Sequence, residues 1–439
     1  MTCADRRRAR RSPKGLRHFT LTFALVAQGF SPAIVRAQAP VPAERVTFDE
    51  AIRRAAEKNP TAAIAAAGIL RAEGLLLDAR SASRLQINGT VATTTLNKGV
   101  EFQGSTVTPQ NQVTASLDVR MPLYAPARWA RTAQAGDAKL VAQANAEEVR
   151  RQTSIATADA YLTIIARRRV VDTNVRARDV AKAHFDYAHE LLERGAGSRL
   201  NELRAQQEVS LDEGLIESAR LALYRAQEAL GVLLVADGPV DAGDEPAFAI
   251  PADVPPLQAG PWRTDLKLFA TQQRAAERVL GDSSKDRLPY FEAVFQPSTT
   301  YPAQFFLPQN SWRLLTQLSI PIFDSGQRQA LRLERQAAVD ESRATFARAD
   351  TQARSEVRAA REAIASAERG LVSARAAADQ ARQVVDIVNI SFRAGAATNI
   401  EVIDAEGRAR NSDIAVAVAE DNLRRARLDL LTALGQFPR

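Results

Sequence analysis

Cysteine is almost missing from this chain of 439 residues, where Cys3 is the only one. A single thiol near the N-terminus supports neither a disulfide framework nor a thiolate metal site. Histidine is nearly as scarce, with three in the whole sequence. His184 and His189 stand five apart on a predicted helix, about 140° around its axis, whereas a zinc pair on one face needs a spacing of four. They read as exposed polar residues of that helix. No glycine-rich loop precedes a lysine in the way that cradles phosphate, and no nucleophile elbow is present. The sequence offers no catalytic set and no cofactor site, and it does not read as an enzyme.

A basic surplus is missing too, once the N-terminus is set aside. The chain carries 58 Lys and Arg against 51 Asp and Glu, but residues 1–37 hold eight of the bases and one acid, leaving fifty of each. A nucleic-acid footprint needs a basic stripe or domain, so nucleic acid is not an expected partner. Residues 1–37 have the order of a secretory signal peptide. Arg6, Arg7, Arg8, Arg10, Arg11, Lys14 and Arg17 lead, Phe19 to Phe30 is apolar, and Ala37 and Ala39 are small. Pro40 disfavours cleavage after Ala39, so the expected cut follows Ala37, and Cys3 leaves with the segment. No later apolar run approaches the roughly 20 residues of a transmembrane helix. Membrane insertion would therefore require a closed β-barrel.

Proline is absent from 127–238 and from 322–437, stretches of 112 and 116 residues in a chain with 20 prolines. Both are rich in Ala, Arg, Glu, Gln and Leu, which are strong helix formers, and proline-free runs of this length predict long helices or coiled coil. In the second, small and apolar residues recur at alternating spacings of three and four, from Ala353, Val357, Ala360 and Ile364 through Leu371, Ala378 and Val385 to Phe392. Val402, Ala405, Ala409, Val416, Leu423, Ala426 and Leu430 continue the pattern on a descending helix. Sustained seven-residue spacing is coiled-coil geometry. The run from Ala127 to Arg194 would reach about 100 Å at about 1.5 Å per residue, which fits a tube or a soluble rod.

The two halves repeat each other. Leu192 to Leu234 aligns with Phe392 to Leu434 at a constant offset of 200, and Met121-Pro122-Leu123 answers Ile320-Pro321-Ile322. A repeated unit implies an array or ring. Each unit predicts helix, strand, loop, strand, very long helix, tight turn and shorter helix. The boundaries are a first repeat at 38–238, a Pro- and Gly-rich linker or equatorial segment at 239–261, and a second repeat at 262–439. In Gln112–Met121, Val113, Ala115, Leu117 and Val119 alternate with Thr114, Ser116, Asp118 and Arg120, and Trp312–Ile320 alternates likewise. Leu85, Ile87 and Val91 mark a strand in Arg84–Leu96, and Phe291, Ala293 and Phe295 mark one in Pro289–Gln296. Period-two alternation marks strands with one apolar and one wet face. The pattern alone suits either a small soluble sheet or an outer-membrane barrel; the export signal and the repeat favour the barrel. Four strands per chain cannot close one, because the smallest have about eight, so a membrane form must be an oligomer.

At this point the residues resemble a known family, the TolC-type outer-membrane efflux proteins. The resemblance is carried by Thr47-Phe48-Asp49-Glu50-Ala51 with Asn59-Pro60, by Ile320-Pro321-Ile322, by the Phe392-Arg393-Ala394-Gly395 turn and by Ala433-Leu434-Gly435. It implies a mainly α chain with a transmembrane β-barrel: a homotrimer with a twelve-stranded barrel in outer-membrane lipid and a twelve-helix periplasmic tunnel. The function implied is an exit duct, taking cargo from an inner-membrane transporter of RND or ABC type through a periplasmic adaptor. The adaptor would dock on the two hairpin tips, Gly195, Ser198 and Leu200 with Gly395, Thr398 and Ile400. A periplasmic gate would be lined by Glu401 and Asp404, whose first-repeat counterparts are Asn201 and Arg204. The competing reading is a soluble periplasmic coiled-coil scaffold or adaptor.

Overall fold

The structure is a computed structural model that describes residues 43–250 and 260–437. The expected signal segment and part of the 239–261 linker lie outside the described residues.

In chain order, β1 (Glu44–Val46) leads into α1 (Phe48–Lys58) and α2 (Pro60–Ser81). Thr47 Oγ1 accepts from Glu50 N at 3.4 Å, and Glu50 turns to Arg53 instead of back to the cap. Asn59 breaks the two helices apart and caps the second, its Oδ1 accepting from Thr61 N at 2.9 Å. Then come β2 (Gln86–Thr95), β3 (Val100–Phe102), β4 (Ser105–Thr108) and β5 (Asn111–Tyr124), followed by α3 (Pro126–Glu193) and α4 (Arg199–Leu234). The second half has β6 (Val240–Ala242), α5 (Thr264–Gly281), β7 (Tyr290–Tyr301), β8 (Asn310–Ser319), α6 (Gln327–Arg393) and α7 (Asn399–Ala433). The chain is mainly helical.

The long elements follow the proline gaps. Helix α3 has 68 residues with Pro126 in its first turn, where a missing N–H costs nothing. Val339 apart, the buried positions of α6, namely Ala353, Val357, Ala360, Ile364, Leu371 and Ala378, belong to the three-four series read in the sequence. Small residues there let α7 approach closely.

Strands β2, β5, β7 and β8 form one antiparallel sheet in that order. The β5–β7 pairing joins the two repeats. One face carries Ile87, Val91, Val113, Leu117, Phe295, Trp312 and Leu314, all exposed in the single chain. The other carries Asn88, Asp118, Gln296 and Arg313, with Asp118 bonded to Arg120 and Arg313 bonded to Gln296. The outer edges, β2 and β8, are unpaired among the described residues.

Two strands differ from expectation. Strand β5 runs on to Tyr124 through Pro122, with a register shift there, the kind of irregularity that lets a strand tolerate proline. The loop after Leu96 is not irregular throughout: β3 and β4 pair across Gln103 and Gly104, at φ 49° and 79°. Positive φ at both central residues is the turn that matches strand twist.

The main core lies at the equator of the helices. Tyr161, Leu162 and Ile165 of α3 pack with Phe48, Leu230, Val240 and Leu428. Here β6, inside the segment read as a linker, pairs in parallel with β1. Phe48 meets Tyr161 edge-on at 5.4 Å between centroids.

Candidate functional site

The two hairpin tips are built alike. Helix α3 ends at Glu193, and Gly195 takes φ 69°. Gly195 N donates to Leu192 O at 3.0 Å and Ala196 N to Leu191 O at 2.9 Å, a paired closure that satisfies the last carbonyls of the helix. The second tip repeats it, with Gly395 at φ 75°. Its bonds are Gly395 N to Phe392 O at 3.0 Å and Ala396 N to Ser391 O at 2.8 Å. A side chain at positive φ is strained, so glycine is the fitting residue at both turns.

Each turn hands over to a capped helix. Ser198 Oγ accepts from Leu200 N at 3.2 Å to start α4. Thr398 and Glu401 form a reciprocal capping box at the start of α7, in which Thr398 N donates to Glu401 Oε2 at 2.6 Å. Leu200 and Ile400 stand exposed at matching places, one per tip. The tips thus present six residues in two near-copies: a flexible glycine, a hydroxyl cap and an exposed aliphatic side chain.

Glu401 and Asp404 are both exposed. Glu401 is turned back onto its own helix start, and Asp404 pairs with Arg408 at 2.9 Å. Asn201 and Arg204, their counterparts, lie on α4.

Sequence reasoning missed what joins the hairpins. His184 is not an exposed polar residue: it is buried, and its Nε2 donates to Asn399 Oδ1 at 2.6 Å. Burial holds its pKa below the ordinary histidine value, so the ring is neutral there. Asn399 Nδ2 in turn donates to Asn201 O at 3.2 Å. Phe392 lies 5.3 Å from the His184 ring. Nearby, His189 Nδ1 bonds the buried Glu202 at 2.7 Å, and Arg199 also pairs with Glu202. The available signal was where the repeats diverge, at Arg199 against Asn399 and at Asn201 against Glu401. Among the described residues no cluster of His, Asp or Glu could hold a metal ion, and no helix is long and apolar enough to cross a membrane.

The architecture is shared with solved proteins. The outer membrane protein VceC from Vibrio cholerae is 17% identical, with a TM-score of 0.76 over 88% of this chain and 96% of VceC. The CmeC outer membrane channel of Campylobacter jejuni is 14% identical, with a TM-score of 0.76 over 89% of this chain and 87% of CmeC. The MtrE outer membrane channel of Neisseria gonorrhoeae, solved in an open state, is 16% identical, with a TM-score of 0.71 over 88% of each chain. No curated protein sequence matches. The chain shares the fold of these outer-membrane proteins. Residues 265–436 match the family described as outer membrane efflux protein.

Proposed function

We infer that the chain is one subunit of an outer-membrane exit duct of an efflux system, and that three copies complete it. The observation that carries this is the four-stranded sheet, with one apolar face, one polar face and two unpaired edges. An open edge in lipid leaves backbone groups without partners, so the sheet must close with others like it. Three copies supply twelve strands, within the range of known barrels. The apolar face then meets lipid and the polar face lines the lumen.

Beneath the barrel, helices of 68 and 67 residues extend about 100 Å into the periplasm as a tunnel wall. The chain has no energy source of its own on this reading, so an inner-membrane pump of RND or ABC type and a periplasmic adaptor drive it. The adaptor docks on Gly195, Ser198 and Leu200 with Gly395, Thr398 and Ile400. Glu401 and Asp404 line the narrow periplasmic end, where six carboxylates from three chains would favour cations. A soluble periplasmic scaffold accounts poorly for an exposed apolar sheet face.

Native mass spectrometry of detergent-purified protein tests the assembly, with a trimer expected and a monomer or dimer refuting it. A heat-modifiable band in the outer-membrane fraction tests the location. Full recovery in soluble periplasm would refute it.

A further inference from the structure

Between the tips and the equatorial core, α3, α4, α6 and α7 line a half-open cavity of about 550 Å³. Part of its wall is apolar, including Val180 and Ala181 of α3 and Val385 of α6. The rest gathers carboxylates from both hairpins. Glu208 and Asp212 come from α4, and Glu406 comes from α7. Asp212 is 2% exposed. Arg410, one turn beyond Glu406, pairs with Asp212 and lies 3.3 Å from Glu208. Three carboxylates thus share one guanidinium, and that guanidinium is taken by the two on α4.

Glu406 is left over. Its Oε2 is buried and has no hydrogen-bond partner. The other charges facing the cavity do not serve it. From α6, Arg382 is bonded to Asp413 at 2.6 Å and to Asp379 at 3.0 Å, and Asp386 adds another negative charge. From α3, Arg176 bonds Thr173 Oγ1 at 3.1 Å. A buried anion without a partner is costly, and protonation removes that cost.

We propose that Glu406 is a proton-operated lock between the two hairpins of each chain. Protonated, it lets α7 pack against α4. Ionised, it is repelled by Glu208 and Asp212, and the hairpins part, drawing Arg410 off its partners on α4. Burial and the two neighbouring carboxylates push the Glu406 carboxyl up to about 7, and burial raises Asp212 as well. The sign follows from linkage. A carboxyl raised in the packed state favours packing at low pH; that advantage is complete below the ordinary value of 4.5 and is lost as pH rises through about 7. The ratio of packed to parted hairpins changes by up to about three hundredfold across that window. The functional consequence, a wider tunnel end at higher pH, rests on the exit-duct reading; the lock itself does not.

The test uses the full chain in detergent. Spin labels at Glu213→Cys on α4 and Asn411→Cys on α7, both exposed positions, report the separation by pulsed EPR when labelled copies are diluted with unlabelled ones. The distance should lengthen between pH 5 and 8.5 with a midpoint near 7, and Glu406→Gln should stay short throughout. Glu208→Gln, which removes one repelling charge, should move the midpoint down. A native distance that ignores pH, a Glu406→Gln protein that titrates like the native one, or an unmoved midpoint in Glu208→Gln would overturn the lock. Titrating hairpins in a protein that conducts nothing in bilayers would instead overturn the duct and leave the lock standing.

Discussion

Removing one oxygen atom at the equator should measurably loosen the molecule. Tyr161 is fully buried, and its hydroxyl accepts from Gly243 N and Asp244 N at 3.1 Å each. It also bonds the Asp244 carboxylate and lies 3.0 Å from Val46 O. Burial and Asp244 hold the phenol above its ordinary pKa, so it remains a neutral donor. One hydroxyl thereby ties β1 and the segment after β6 to the middle of α3. Tyr161→Phe keeps the ring against Phe48 but leaves those amides and one carboxylate contact unanswered. Losing one charged and one or two neutral bonds costs about 2–4 kcal/mol. At about 2.1 cal/mol/K per residue, a folded region of this size should melt roughly 2–5 °C lower. Circular dichroism melts of the detergent-purified protein measure this, and a double-mutant cycle with Asp244→Ala should give strongly non-additive losses. A Tyr161→Phe protein that melts within a degree of the native one would refute the reasoning.

At the tips, Gly195→Asp and Gly395→Asp should each impair adaptor cross-linking and export while leaving membrane insertion intact, with about 1–2 kcal/mol of local backbone strain; native levels of both in both variants would count against the proposed docking assignment. At the proposed gate, Glu401→Gln with Asp404→Asn should reduce cation preference and weaken block by multivalent cations in planar bilayers. The glutamine keeps the capping box, so helix α7 should start normally. Asp379→Asn, higher on α6, should matter less, and a double variant with native selectivity and block would make these two residues a solvated helix face.

What the sequence revealed was local. Proline gaps bounded α3 and α6 because one proline interrupts a helix anywhere along it. The seam from Ala353 to Ala378 was legible because heptad spacing is set within one strand of chain. Alternation located β2, β5, β7 and β8. What escaped depended on distant partners or on single unusual residues. The Gln103-Gly104 turn lacks the Asn-Gly or Asp-Gly signature that marks such hairpins. His184 looked like any polar helix residue, since its burial depends on Asn399, 215 positions away. Glu401 was singled out for its charge, while its capping contact to Thr398 was three residues off and went unread.

The same long-range contact bears on how copies of the chain would pack side by side in a ring. Within one chain, α7 lies against α3, and His184 meets Asn399 there. The repeat maps α3 onto α6 and α7 onto α4 at an offset of 200, so His184 corresponds to Val384 and Asn399 to Arg199. In one chain that second contact is not made. Val384, Ile387 and Ile390 of α6 are 48%, 63% and 70% exposed, an apolar row too long for a solvated helix. Arg199 and Leu200 on α4 are exposed as well. If two hairpin types alternate around a ring, the α6 row of one copy meets the α4 of the next, and the contact inside each chain is repeated between chains. Val384→Cys combined with Arg199→Cys should therefore form a disulfide between neighbouring copies in the purified assembly, seen as covalently linked copies on denaturing gels. The only native cysteine, Cys3, lies in the expected signal segment, so the background is low. Failure to cross-link in an assembly of several copies would show that the two repeats pack by different rules, and that the internal symmetry of the sequence does not extend to contacts between copies.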